Sequence, residues 1–254
     1  MNSPLELDNR GLAYGDGLFE TCRVRRGLVP WLDRHLSRLK KGAEVLRLDW
    51  QSIHTGLQQE LRDVLEQAPD SDWVKLIVTR TARGRGYAPT TTTAMRFWQT
   101  GPMKPATERV SIGGFVSRSG GDPVLAGLKH LNRLPDVLAT GGPDEQGERL
   151  ILDAQGRVVC ATSSNVFFVV DGEVLTPRLI SQGVRGVMAE WVSEQIDVRR
   201  CAIAHGMVSL ASECFLTNAL RGVISVSEIA KQPFSLDTPV ANGLRSRLLK
   251  SSWA

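Results

Sequence analysis

Hydrophobic periodicity changes halfway along this chain, and that change restricts the folds open to it more than any single residue does. In the first half, apolar residues return at helical intervals: Leu32, Leu36, Leu39, Ala43 and Leu46, then Ile53, Leu57, Leu61, Val64 and Leu65. Such spacing gathers each set onto one stripe of an amphipathic helix. Strand-like runs flank these helices at 18–25 and 28–30, turned at Arg26-Gly27, and again at 73–79, 95–99 and 110–116. Beyond residue 123, short apolar runs take over. Residues 149–153, 157–162, 165–170 and 173–176 read as a meander, punctuated by Gln155-Gly156 and Asp171-Gly172. A helix over 184–196, strands near 198–203, 213–217 and 223–226, and a last helix near 240–249 complete the pattern. The segment 117–123, rich in Gly, Pro and small polar residues, reads as a linker. The expectation is an α+β chain with domains at 1–117 and 124–254, joined through 118–123.

Charge and composition narrow the function classes. The chain is 42% hydrophobic and 23% charged, ordinary for a soluble globular protein. Its net charge of +4 is scattered, with no basic block, which suits a small anionic substrate better than nucleic acid. No window holds the roughly 18 apolar residues of a membrane helix. Residues 1–10 are polar, so no signal peptide is read and a cytoplasmic location is expected. Cys22, Cys160, Cys201 and Cys214 are isolated from one another and from the four histidines. Reduced thiols and no metal site are expected.

Lys129 is the residue with the most chemistry in it. It is one of seven lysines and follows a mostly apolar run at 124–128. Leu131, Leu134 and Leu138 follow at helical spacing, so the lysine reads as opening a short helix. An ammonium drawn toward apolar surroundings loses hydration, which favours the neutral, nucleophilic amine. The competing reading is a lysine that extends its charge to solvent from a helix end.

Other segments bear on that choice. Gly11-Leu-Ala-Tyr-Gly-Asp-Gly-Leu-Phe-Glu20 opens the first hairpin, and His35-Leu-Ser-Arg38 lies on the first helix. Gly127-Leu-Lys-His-Leu-Asn-Arg-Leu134 carries the lysine. Thr162-Ser-Ser-Asn165-Val-Phe follows a strand, Gln182-Gly-Val-Arg-Gly-Val187 opens a helix, and Thr217-Asn-Ala219 ends a strand. In this order and spacing, over about residues 8–230, the six segments resemble the fold-type IV pyridoxal-phosphate enzymes. That group holds the branched-chain and D-amino-acid aminotransferases and the aminodeoxychorismate lyases. The run 129–134 and the Arg83-Gly-Arg-Gly-Tyr87 loop look most like the lyase branch.

The resemblance implies a two-domain aminotransferase class IV fold, a homodimer, pyridoxal 5'-phosphate as cofactor, and a site at the domain junction. It implies conversion of 4-amino-4-deoxychorismate to 4-aminobenzoate and pyruvate in folate biosynthesis. Lys129 would bind the cofactor covalently and then shuttle the proton, and Arg38 would meet the phosphate with its planar fork. Gly186 and Val187 would add backbone N–H groups at a helix start, and Thr217, Asn218 and Ala219 a second cradle. Asn132 would orient the ring, and Arg83, Arg85 and Tyr87 would receive the substrate carboxylates.

One position departs from the pattern. Five residues before the Asn of Ser-Ser-Asn, the family carries an acid that pairs with the pyridine nitrogen; here stands Cys160. A neutral thiol sustains a weaker electron sink. A lyase, whose product gains aromaticity, tolerates that better than an aminotransferase does. An aminotransferase of the same fold and a non-catalytic relative remain the alternatives.

Overall fold

The computed structural model describes residues 6–82, 86–104, 107–118, 120–141 and 147–253. The chain forms two compact units. One comprises Met1–Lys104 with Leu128–Asn132, the other Pro105–Gly127 with Arg133–Ala254.

In the first unit, strands β1 (Gly17–Arg23), β2 (Trp73–Arg80) and β3 (Ala94–Gly101) make an antiparallel sheet in that order. Helix α1 (Arg10–Tyr14) precedes β1. Helix α2 (Leu32–Val45) buries Leu39 and Ala43 against Leu18, Leu76 and Val78, as the helical spacing requires. The turn at Arg26-Gly27 forms with both residues at positive φ, 51° and 73°, and pairs Arg25 with Leu28. The second apolar stripe is divided between α3 (Trp50–His54) and α4 (Leu57–Gln67), because Gly56 takes φ 75° between them. Each piece still buries its own apolar residues, Ile53 in α3 and Leu57, Leu61 and Leu65 in α4.

The second unit is built on a ten-stranded mixed sheet. Its strands are β4 (Arg109–Ser117), β5 (Glu148–Leu152), β6 (Arg157–Ala161), β7 (Asn165–Val170) and β8 (Glu173–Pro177). They continue as β9 (Arg199–Cys201), β10 (Ile203–Ala204), β11 (Glu213–Asn218), β12 (Gly222–Ile229) and β13 (Gln232–Pro233). The spatial order is β10-β6-β5-β4-β12-β11-β7-β8-β9, with β13 on β12. The expected meander is therefore two hairpins, β5–β6 and β7–β8, set apart in the sheet by β4, β12 and β11. The chain changes position within the sheet at Thr162–Ser164, between β6 and β7. Helices α5 (Leu134–Ala139), α6 (Val187–Gln195) and α7 (Pro239–Leu249) complete the unit.

The division differs from the 118–123 boundary read in the sequence. Strand β4 belongs to the second unit because it pairs in parallel with both β12 and β5. Lys129 belongs to the first because its segment hydrogen-bonds along β1. The Phe19 N–H donates to the Lys129 carbonyl at 2.9 Å, and the Leu131 N–H donates to that of Gly17 at 3.0 Å. Local composition marks a break between elements but not which sheet the following residues join.

Candidate active site

Lys129 is not on a helix. It lies in extended chain, and α5 begins only at Leu134, with proline in its first turn. The Leu131–Leu134–Leu138 spacing is misleading because the backbone of 129–131 is committed to β1. Two glycines make this possible. A Cβ at Gly17 would stand 2.2 Å from the Val78 carbonyl oxygen and 2.7 Å from Leu131 Cδ1. At Gly15, which caps α1 with φ 66°, a Cβ would fall 2.0 Å from Asn132 Oδ1. Gly15-Asp16-Gly17 is thus the seat of the lysine segment, and Asn132 packs on that seat. The Leu18–His130 bridge sets Lys129 opposite Phe19, on one face of the pair. Lys129 Nζ lies 4.2 Å from the Phe19 ring centroid.

Arg38 is a partly buried ion-pair residue of the first unit. Its Nε donates to Glu20 Oε1 at 2.8 Å and its Nη2 to Oε2 at 2.5 Å, while His35 Nδ1 lies 2.7 Å from Oε2. Burial alone would raise the Glu20 pKa, but the Arg38 charge and the Arg38 and His35 hydrogen bonds bring it down to about 2. His35-x-x-Arg38 is the helical spacing that aims both side chains at one carboxylate. Cys22 joins Glu20 and His35 in a group whose donor atoms lie within 4.8 Å, a proximity invisible in the sequence. Burial pushes the Cys22 thiol pKa up, and Arg38 bridges both Glu20 oxygens, so this is an ion pair and not a cation cage.

Arg83 and Arg85 lie outside the described residues. Tyr87 is 86% exposed, and the loop's end is held by a residue the sequence reading missed. Buried Arg10 donates through Nη1 to the Gly86 carbonyl at 2.9 Å and through Nη2 to that of Tyr87 at 2.8 Å. Its Nε donates to Asp16 at 2.8 Å, and Arg80 Nε meets the same carboxylate at 2.9 Å. Burial opposes the Asp16 charge, yet the Arg80 and Arg10 hydrogen bonds leave its pKa lowered. The available signal was Asp16, a lone acid between two glycines.

In the second unit, Cys160 is buried on β6. Burial, aided by Asp136, pushes its thiol pKa up to about 12, against the opposing effects of Arg118 and Arg133. Arg118 and Arg133 each pair with Asp136 at 3.2 Å. The thiol is neutral at physiological pH. Glu148 does not stand in for the missing acid, because its oxygens are occupied by the loop between β6 and β7. They accept from Thr162 Oγ1 at 2.8 Å, the Ser163 N–H and hydroxyl, Ser164 Oγ at 3.1 Å and Arg221 Nη2 at 2.6 Å. Burial raises its pKa, and these donors more than offset that. Arg221 was not singled out in the sequence.

The two cradle segments come together within this unit. Thr217 pairs with Asn165 between β11 and β7, and a Cβ at Gly186 would fall 2.0 Å from Asn165 Oδ1. Gly186 caps α6 without a side-chain hydrogen bond, leaving Val187 as its first helical residue. Thr217 Oγ1 is buried with no hydrogen-bond partner among the described residues. A buried hydroxyl without a partner near a helix start that lacks a side-chain cap fits an anionic group such as phosphate. The Asn218 side chain is engaged within the adjoining turn. Its Oδ1 accepts the Leu220 and Arg221 N–H groups and its Nδ2 donates to Ser164, so its side chain shapes the turn. The Ala219 carbonyl accepts from Trp253 Nε1 at 3.2 Å.

The family model for amino-transferase class IV matches residues 17–229. The chain belongs to the amino-transferase class IV family. The match takes in Arg38, Lys129, Cys160 and both cradle segments, and leaves Arg10 outside. Among class IV relatives, the aminodeoxychorismate lyase of Vibrio harveyi is 30% identical over 247 residues, covering 92% of this chain and 90% of the relative. The crystal structure of 4-amino-4-deoxychorismate lyase from Pseudomonas aeruginosa superposes with a TM-score of 0.87 at 32% identity, covering 99% and 96% of the two chains. The branched-chain amino acid aminotransferase of Escherichia coli gives 0.82 at 18% identity over 97% and 88%, a likeness of fold alone. The fold-type IV architecture expected from the motifs is the one present.

Proposed function

We propose that this class IV chain is a pyridoxal-phosphate-dependent lyase that converts 4-amino-4-deoxychorismate to 4-aminobenzoate and pyruvate. The observation that carries this reading is near full-length similarity to two lyases of that name, at 30% and 32% identity. When bound, pyridoxal phosphate supplies the electron sink for a proton lost beside the substrate amine. Lys129 holds the cofactor covalently and moves that proton at Nζ. Thr217 Oγ1 and the α6 N-terminus at Gly186 and Val187 hold the phosphate, with Ala219 in the adjoining turn; Arg38, whose Nε and Nη2 meet Glu20, is kept in this reading as a secondary phosphate contact and not as the fork expected from the motif. Asn132 supports the lysine segment. Arg83, Arg85 and Tyr87 receive the substrate carboxylates, with Arg10 and Asp16 fixing the end of their loop.

Cys160 supports the lyase over the aminotransferase. A neutral thiol does not keep the ring nitrogen protonated, and a reaction ending in an aromatic product draws on its own driving force. The same thiol motivates the second reading, a cofactor-binding relative without turnover.

Borohydride reduction of the cofactor-loaded protein, followed by peptide mapping, tests the anchor. The cofactor mass on the Lys129 peptide is expected; its attachment elsewhere would overturn the assignment. We further propose a homodimer in the cytoplasm. Helix α5 exposes Leu134, Val137 and Leu138 at 65%, 61% and 72%, an i, i+3, i+4 apolar row suited to a second copy of the chain. Among the described residues no helix is long and apolar enough to cross a membrane. The four cysteines are free thiols, in keeping with a reducing compartment.

A further inference from the structure

The Phe19 ring receives two ammonium groups. Lys129 Nζ lies 4.2 Å from its centroid and Lys75 Nζ 5.0 Å. Strand register explains why. Phe19 pairs with Ile77 and Thr21 with Lys75, so Phe19, Thr21, Ile77 and Lys75 share one face of the sheet, and Lys129 joins that face from the other side of β1. The separation of the two cations cannot exceed the two centroid distances laid end to end. Two like charges on one aromatic ring are an arrangement that packing alone has no reason to produce.

We propose that Phe19 and Lys75 are positioning residues for Lys129: the ring seats its ammonium, and Lys75 opposes that charge so that more of Lys129 stands as the free amine. The ring alone would favour the charged form, since a cation is attracted to its face. A like charge nearby favours the neutral form, the nucleophile that imine chemistry needs. The two effects have opposite signs, so the lysine is held in place without being locked in its unreactive state. Among the described residues, the charged and titratable groups of the neighbourhood include Cys22, whose thiol senses Lys129, Glu20 and Arg38, and His35 behind them. Glu20 and Arg38 neutralise one another, and burial keeps Cys22 uncharged. Arg23 stands farther along the Phe19 face of β1. Lys75 is the cation that shares the ring.

The inference rests on Lys129 being the cofactor lysine, and its test uses no turnover. The full-length protein, freed of cofactor by hydroxylamine, is reductively methylated with formaldehyde and cyanoborohydride across pH 6–10. Modification of Lys129 is quantified by mass spectrometry against exposed Lys40 as internal reference. Lys75→Met should move the Lys129 midpoint up by about half a pH unit or more, as expected for removal of a like charge about 9 Å away or closer. Phe19→Leu should move it down by about half a unit. Lys75→Arg, which keeps the charge, should leave it in place. Shifts in the same direction for Lys75→Met and Phe19→Leu, or an equal shift in Lys75→Arg and Lys75→Met, would overturn the proposal. If Phe19→Leu does not fold, the Lys75 pair decides alone. Opposite shifts in a protein without lyase turnover would refute the functional reading and leave this inference standing.

Discussion

Lys129 and Cys160 pull the chemistry in opposite directions. Lys129, beside Phe19, is the proposed nucleophile, and Cys160 is a neutral thiol where the family resemblance implies an acid. Lys129→Ala should abolish turnover and the visible absorbance of covalently held cofactor; a variant with full turnover would remove the lysine from the account. Cys160→Glu is the informative partner experiment. At that position Arg118 and Arg133 favour an ionised carboxylate, against burial and the charge of Asp136. If the reaction is already tolerant of a weak sink, lyase turnover should rise by less than about tenfold, or about 1.4 kcal/mol in barrier. A gain of several hundredfold would identify the natural site as degenerate.

At the level of elements, the construction around β1 is the most exposed to test. Gly17→Ala forces a Cβ against the Val78 carbonyl and Leu131, so stability should fall by about 1–3 kcal/mol, read as a lower Tm. An unchanged Tm and an unchanged Lys129 reactivity would mean that the segment does not depend on this approach. The Glu20–Arg38 pair predicts an acid limb. The folded pKa of Glu20, about 2, lies below the ordinary glutamate value of 4.5, so the contribution of the pair is complete above about pH 4.5 and is lost as pH falls toward 2. Glu20→Gln should flatten that limb in pH-dependent unfolding, and an unaltered limb would count against the pairing. These elements also show what the sequence could and could not convey. The stripe of α2 and the Arg26-Gly27 turn were legible because burial on one helix face and positive φ are local demands. The extended form of 128–132 was not, because β1, which pairs with it, lies over a hundred residues earlier. Arg10 and Arg221 were hidden for the same reason: each is defined by partners remote in sequence. The motif resemblance supplied what spacing could not, namely the class IV family that the family model also matches over residues 17–229.

For the whole molecule, the account asks for a class IV enzyme acting as a pair of chains on an anionic ring substrate. The α5 row predicts that Leu134→Glu with Leu138→Glu shifts the protein from dimer to monomer in light scattering; a wild-type monomer would discard the dimer. That experiment does not reach the reaction itself. The most direct measurement incubates cofactor-loaded protein with 4-amino-4-deoxychorismate and quantifies 4-aminobenzoate and pyruvate over time. The account predicts equal amounts of both, formed without any 2-oxo acid acceptor. Absence of both products from protein whose cofactor is attached at Lys129 would contradict it.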